Sequence, residues 1–147
     1  MEKLRVKKLK ENAFLPTYGS EFAAGADLYA CLDEKVIINP GETKIIPTGI
    51  AMEVPLYHAG LIYARSGLGI KQGLAPANCV GVIDTDYRGE WMVGLYNHSD
   101  EPRVIEHGDR IAQTVITPFL KVEYVEADEL TDTARGTRGL GSTGIKE

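Results

Sequence analysis

Cysteine, histidine and surplus positive charge are scarce in this chain, and each scarcity closes off a class of function. Two cysteines, Cys31 and Cys79, and three histidines, His58, His98 and His107, are scattered over 147 residues. None falls in the short regular spacings of a zinc site. Lys and Arg number 16 against 21 Asp and Glu, a net charge of −5. A nucleic-acid coat needs a basic face, so no nucleic-acid partner is expected, although a single nucleotide needs only a few well-placed cations. No apolar run is long enough to span a bilayer, and Met1-Glu-Lys-Leu-Arg5 lacks the apolar centre of a secretory leader. The expectation is no membrane partner and a reducing, cytoplasmic setting.

Long helical patterns are missing too. The one helical candidate is Ser66 to Gln72, limited to a turn or two by Gly67, Gly69 and Gly73. What remains is all-β: short apolar and β-branched runs separated by turn residues. The runs are Leu4 to Leu9, Val36 to Ile38, Lys44 to Val54, Gly60 to Ala64, Cys79 to Ile83, Trp91 to Tyr96 and Ile111 to Thr117. Prolines inside the third suggest bends or edge positions. This spacing predicts a sandwich or closed barrel with Greek-key or jelly-roll connections, in a single domain. Its body is expected over residues 1–130. Residues 131–147, rich in Gly, Thr and Arg, read as a mobile tail.

Gly81-Val-Ile-Asp-Thr-Asp-Tyr-Arg-Gly-Glu90 is the most informative segment. An apolar run enters, Asp84, Asp86 and Tyr87 follow, Gly89 turns, and Trp91 to Tyr96 leaves. The pattern predicts a β-hairpin whose tip offers carboxylates, backbone and a flat ring. Such a tip can hold a small planar ligand beside a general base. On its own the same pattern also describes an ordinary hairpin with a solvated acidic turn.

Four further islands interrupt the strands. Ala24-Gly-Ala-Asp27-Leu28 reads as a small-residue turn into a strand. Ala64-Arg65-Ser66-Gly67-Leu68 offers a cation, a hydroxyl and free N–H groups at a helix start, an anion site or simply a cap. Gly108-Asp-Arg-Ile-Ala-Gln113 puts a polar Gln in an apolar strand, where it needs a partner if buried. Arg135-Gly-Thr-Arg-Gly-Leu-Gly-Ser-Thr-Gly144 can fold over phosphates through N–H and guanidinium groups. It is not a Walker loop, because no Gly-Lys-Ser/Thr ending and no following helix exist.

In this order the five islands resemble the five motifs of the trimeric dUTP pyrophosphatase family, over about Ala24 to Gly144. The resemblance implies a jelly-roll subunit in a homotrimer, three sites shared between subunits, and a tail that closes over a site. It implies Mg²⁺-dependent hydrolysis of dUTP to dUMP and pyrophosphate, which keeps uracil out of DNA and supplies dUMP for thymidylate synthesis. Asp84 would be the catalytic general base. Tyr87 would lie on the deoxyribose and leave no room for a 2′-OH. Asn78, Val82 and Ile83 would read uracil, with Met92 bordering the base pocket. Arg65, Ser66 and Gly67 would bind the α/β-phosphates, and Arg135 the γ-phosphate. Asp27 and Gln113 would hold waters on Mg²⁺ or contact phosphate oxygens. Asp86 and Asp109 are expected to brace loops by salt bridges.

Two tail residues depart from that pattern. Leu140, followed by Gly141, stands where the family has a Phe stacked on uracil, and Arg138 stands where Gly is common. Losing part of a base–aromatic contact costs roughly 1 kcal/mol. dCTP deaminases share the expected fold, but their second motif runs Arg-Ser-Ser, and here Gly67 follows Ser66. A nucleotide-sensing protein that kept the pocket is the non-enzymatic alternative, and it predicts dUTP binding without turnover.

Overall fold

The computed structural model describes residues 3–139, and within them strands dominate. They are β1 (Val6–Lys8), β2 (Thr17–Tyr18), β3 (Ala26–Tyr29), β4 (Val36–Ile38), β5 (Thr43–Pro47) and β6 (Ile50–Met52). After β7 (His58–Tyr63) comes helix α1 (Ser66–Gln72). The rest are β8 (Leu74–Pro76), β9 (Gly81–Ile83), β10 (Met92–Asn97), β11 (Arg103–Ile105) and β12 (Arg110–Pro118). The chain is all-β, with the single short helix where the glycine pattern allowed one. Among the described residues no helix is long and apolar enough to cross a membrane.

The sheets are antiparallel. The largest has the order β2-β3-β12-β7-β9; β5-β10-β8 forms a second, and β1-β6 and β11-β4 are two-stranded. Alternation along the strands sends one face of each inward. Leu28, Ile38, Ile46, Ile50, Leu95 and Ile111, all nearly solvent-free, come from different sheets and meet in one core. Burying a side chain of that size stabilises by about 1.5–3 kcal/mol.

Trp91 is fully buried, and the edge of its six-membered ring lies against Gly60 of the five-stranded sheet. Any Cβ at Gly60 would overlap the ring, so this position needs glycine for space. The Lys44 to Val54 run is broken into β5 and β6 at Gly49, whose φ is +69°. There the backbone passes close to Ala13 and the buried Cys31, whose thiol pKa is raised by burial.

The expected hairpin does not form. β9 pairs with β7, while β10 pairs with β5 and β8. Residues 84–90 therefore cross from one sheet to another. At the end of that crossing the Trp91 backbone N–H donates to Ile50 O at 2.9 Å and the Trp91 carbonyl accepts from Thr48 N–H, tying the returning chain to the corner between β5 and β6. β3 is the strand into which the first island leads, whereas β2, β8 and β11 lie outside the runs read from the sequence. The strands stop at Pro118, and residues 119–139 are exposed without helix or strand.

Candidate active site

Strand register brings the first, second and fourth islands together. Asp27 on β3 lies opposite Gln113 on β12, which lies opposite Tyr63 at the end of β7. Directly paired residues project to the same face, so Asp27 and Gln113 are neighbours by register. Asp27 is 7% exposed. Its Oδ1 accepts from Arg65 Nε at 2.6 Å, and its Oδ2 from Arg110 Nη1 at 3.4 Å. Two cations thus compensate one buried carboxylate, as a buried charge requires.

Arg110 escaped the sequence reading. A register shift between Arg110 and Ala112 re-aims its side chain, and a bulge has no reliable signature in one sequence. Arg65 is the N-cap residue of α1, with extended φ −91° and ψ 134° and no side-chain cap bond. Ser66 and Gly67 are exposed, and a Cβ on Gly67 would meet nothing. First-turn N–H groups have no partner inside a helix, so this corner offers donors beside guanidinium groups. It opens on a cleft of about 390 Å³ lined by Arg65, Gly67, Lys71, Asp109 and Arg110. Asp109 braces its loop through a backbone hydrogen bond, its Oδ2 accepting Glu106 N–H at 2.8 Å, and among the described residues it makes no ion pair.

Gln113 locks these pieces. Its Nε2 donates to Ala64 O at 2.9 Å, and its Oε1 lies so close over Gly25 that any Cβ there would overlap it. The glycine of the first island is therefore needed by the glutamine of the fourth.

The third island stands apart. Asn78 starts a turn in which Val80 N–H reaches Asn78 O and Cys79 adopts φ +57°. Its amide packs against Gly81 where no side chain would fit comfortably. Val82 and Met92 are exposed, and Ile83 is half-buried. Asp84 is exposed at the end of β9, beside an open cleft of about 630 Å³ shared with Tyr57, Thr85, Asp86 and Lys121. Tyr87 N–H donates to Asp84 O at 3.2 Å, closing a turn, and Tyr87 Oη donates to Glu90 O at 3.0 Å. Its ring lies over Gly89, where a Cβ would collide with it. Arg88 Nη1 donates to Thr85 O at 2.6 Å and to Tyr87 O at 3.0 Å. No contact of the described residues involves Asp86 as a brace.

The two groups lie at opposite ends of β7. Ile83 pairs with Gly60 near its start, whereas Gln113 pairs with Tyr63 at its end. At roughly 3.3 Å per residue, Asp84 and Arg65 are on the order of 15–20 Å apart within one chain.

Among the described residues no three Asp, Glu, His or Cys side chains gather to hold a metal. Asp27 is occupied by guanidinium groups, leaving Gln113 Oε1 and the outer edge of one carboxylate. That donor set fits a Mg²⁺ ion that brings phosphate and water ligands of its own, not one caged by the chain. Arg135 and Arg138 bond to each other, each Nε donating to the other's carbonyl at 3.0 Å. Leu140 and Gly141 lie outside the described residues.

The dUTPase family model matches residues 11–144. The deoxyuridine 5'-triphosphate nucleotidohydrolase of Hydrogenobaculum sp. (strain Y04AAS1) is 52% identical over 144 residues, covering 98% of this chain and 99% of its own. That of Nautilia profundicola is 49% identical over 97% of this chain and 99% of its own. Among solved structures, a mutant dUTPase of Staphylococcus bacteriophage 80alpha with dUpNHpp superposes with a TM-score of 0.89 at 28% identity, covering 99% of this chain and 100% of that one. A mutant dUTPase from phage phi11 of S. aureus, whose structure concerns the coordination of a structural Mg(II) ion, gives 0.76 at 28% identity over 87% and 98% of the two chains. A match along nearly the whole chain, to the family model and to relatives half identical to it, makes this chain a member of the dUTPase family.

Proposed function

We propose that this protein hydrolyses dUTP to dUMP and pyrophosphate, with Asp84 as the general base. The observation that carries the reading is Asp84 itself. It is an exposed carboxylate at the point where a paired strand turns away, with strand backbone on one side and Tyr87 on the other. Asp84 takes a proton from water while the water oxygen bonds to the α-phosphorus. The bond from that phosphorus to its bridging oxygen breaks, and the electron pair leaves with pyrophosphate. Arg65, Ser66 and Gly67 stabilise charge on the leaving phosphates, with Arg65 aimed by Asp27. Asn78, Val82 and Ile83 present the edge that reads uracil, Met92 borders it, and Tyr87 covers the sugar. Arg135, Leu140 and Gly141 belong to the tail, 131–147, which closes over a site formed by the body, 1–130.

Mg²⁺ would supply charge neutralisation on the triphosphate, and Gln113 and Asp27 would contact it through its waters. The division of the site supports sites shared between copies of the chain, and the assembly proposed is a homotrimer. A base on one end of β7 and a phosphate corner on the other cannot serve one α-phosphorus in one chain, but neighbouring copies can bring them together. The role proposed in the cell, in the cytoplasm, is to limit uracil in DNA and to supply dUMP for thymidylate synthesis.

Pyrophosphate release from dUTP with Mg²⁺, run beside dCTP, dTTP and UTP, tests the reading. Release from dUTP alone is expected. Binding of dUTP without release would instead make the protein a sensor, and ammonia from dCTP would make it a deaminase.

A further inference from the structure

We propose that Thr85 is a positioning residue for Asp84, acting through its hydroxyl on the backbone that carries the carboxylate. The inference rests on the assignment of Asp84 as general base. No side-chain hydrogen bond or ion pair among the described residues reaches the Asp84 carboxylate, so its aim is set by the backbone on either side. On the N-terminal side that backbone belongs to the β9–β7 ladder, with Val82 opposite Leu61 and Ile83 opposite Gly60. Extended two residues further, the same register puts Thr85 opposite His58.

The strand ends at Ile83, yet the contact at Thr85 is still made. Thr85 Oγ1 lies 2.7 Å from His58 O and 3.1 Å from Pro55 O. One hydroxyl proton is shared between two carbonyls, the shorter contact being to the ladder partner. A side chain thus finishes the ladder in place of a backbone N–H. The main chain can turn at Asp84 while the His58 carbonyl keeps a partner on that side. The β-branched side chain has few χ1 choices, which makes the tie stiff. Its anchor is itself closed, since His58 N–H donates to Pro55 O at 3.1 Å. From the other side, Arg88 holds the Thr85 and Tyr87 carbonyls. Asp84 is therefore flanked by one residue held in the sheet and one held by its hydroxyl.

The test compares Thr85→Val, Thr85→Ala and Thr85→Ser with wild type, as the assembled protein. It measures kcat and KM for pyrophosphate release from dUTP, the Kd for dUpNHpp, and Tm. Misplacing a base by about 1 Å costs on the order of tenfold to a hundredfold in rate. We expect such a loss in kcat for Val and Ala, with analogue Kd held within about twofold, and recovery in Ser, which restores the hydroxyl. Ala adds no bulk and carries the test if Val fails to fold. Unchanged kcat in Val and Ala would overturn the proposal. So would parallel losses of kcat, analogue affinity and Tm in all three variants, the mark of a structural role alone. Absence of turnover in wild type would overturn the Asp84 assignment, and this proposal with it; the wild-type control separates that failure from one confined to Thr85.

Discussion

Asp27 Oδ1 and Arg65 Nε are 2.6 Å apart, and this pair joins the first island to the start of α1. The carboxylate side chain is 10% exposed and that of the arginine 27%, so solvent screens the pair weakly. Arg65 is thus aimed by a residue on another strand rather than by its own helix.

Asp27→Asn removes the charge that aims Arg65. Breaking a buried pair by neutralising one partner costs about 3 kcal/mol. Urea unfolding should show a loss of that order, and KM for dUTP should rise. Unchanged stability and KM would mean that Arg65 holds its place without Asp27.

Asp84→Asn keeps the shape of the side chain and removes its basicity. General-base removal costs about 10²–10⁴ in rate. kcat should fall within that range, while the Kd for dUpNHpp, measured by calorimetry, changes little. Loss of binding together with turnover would mark Asp84 as structural.

Deleting everything after Asp132 removes a segment whose hydrogen bonds, among the described residues, include the reciprocal Arg135–Arg138 pair and no tie to a strand. Tm should therefore stay where it is, whereas dUTP turnover should drop by at least about tenfold as the phosphate cations are lost. Full activity in the truncated protein would remove the tail from the mechanism.

Gly60→Ala should destabilise through packing alone. The added methyl group would overlap the fully buried Trp91 ring, and overpacking costs typically about 1–3 kcal/mol. Near-ultraviolet circular dichroism of the single tryptophan should change along with the unfolding midpoint. An unaltered midpoint would show that the indole has room to shift.

The residues proposed for the site were visible in the sequence as interruptions of the strand pattern. Asp84 and Tyr87 stand out because carboxylates and an aromatic ring interrupt a β pattern. The start of α1 stands out because an arginine and a serine lead into a stretch broken by Gly67, Gly69 and Gly73. Arg110 was not legible, since its aim depends on a bulge in β12. Thr85 was not legible either: its hydroxyl matters only because His58 and Pro55 lie beside it, and they are 27 and 30 residues away.

From its sequence alone, this protein was determined to be an all-β chain with five ordered motifs, because alternation, turn residues and side-chain chemistry are local properties. Tertiary structure decided which strands became neighbours. A period of two names the face a strand buries but not the strand it joins, so β9 went to β7, and β10 to β5 and β8. That choice placed Asp84 and Arg65 at opposite ends of one strand, a separation that neither motif reveals on its own.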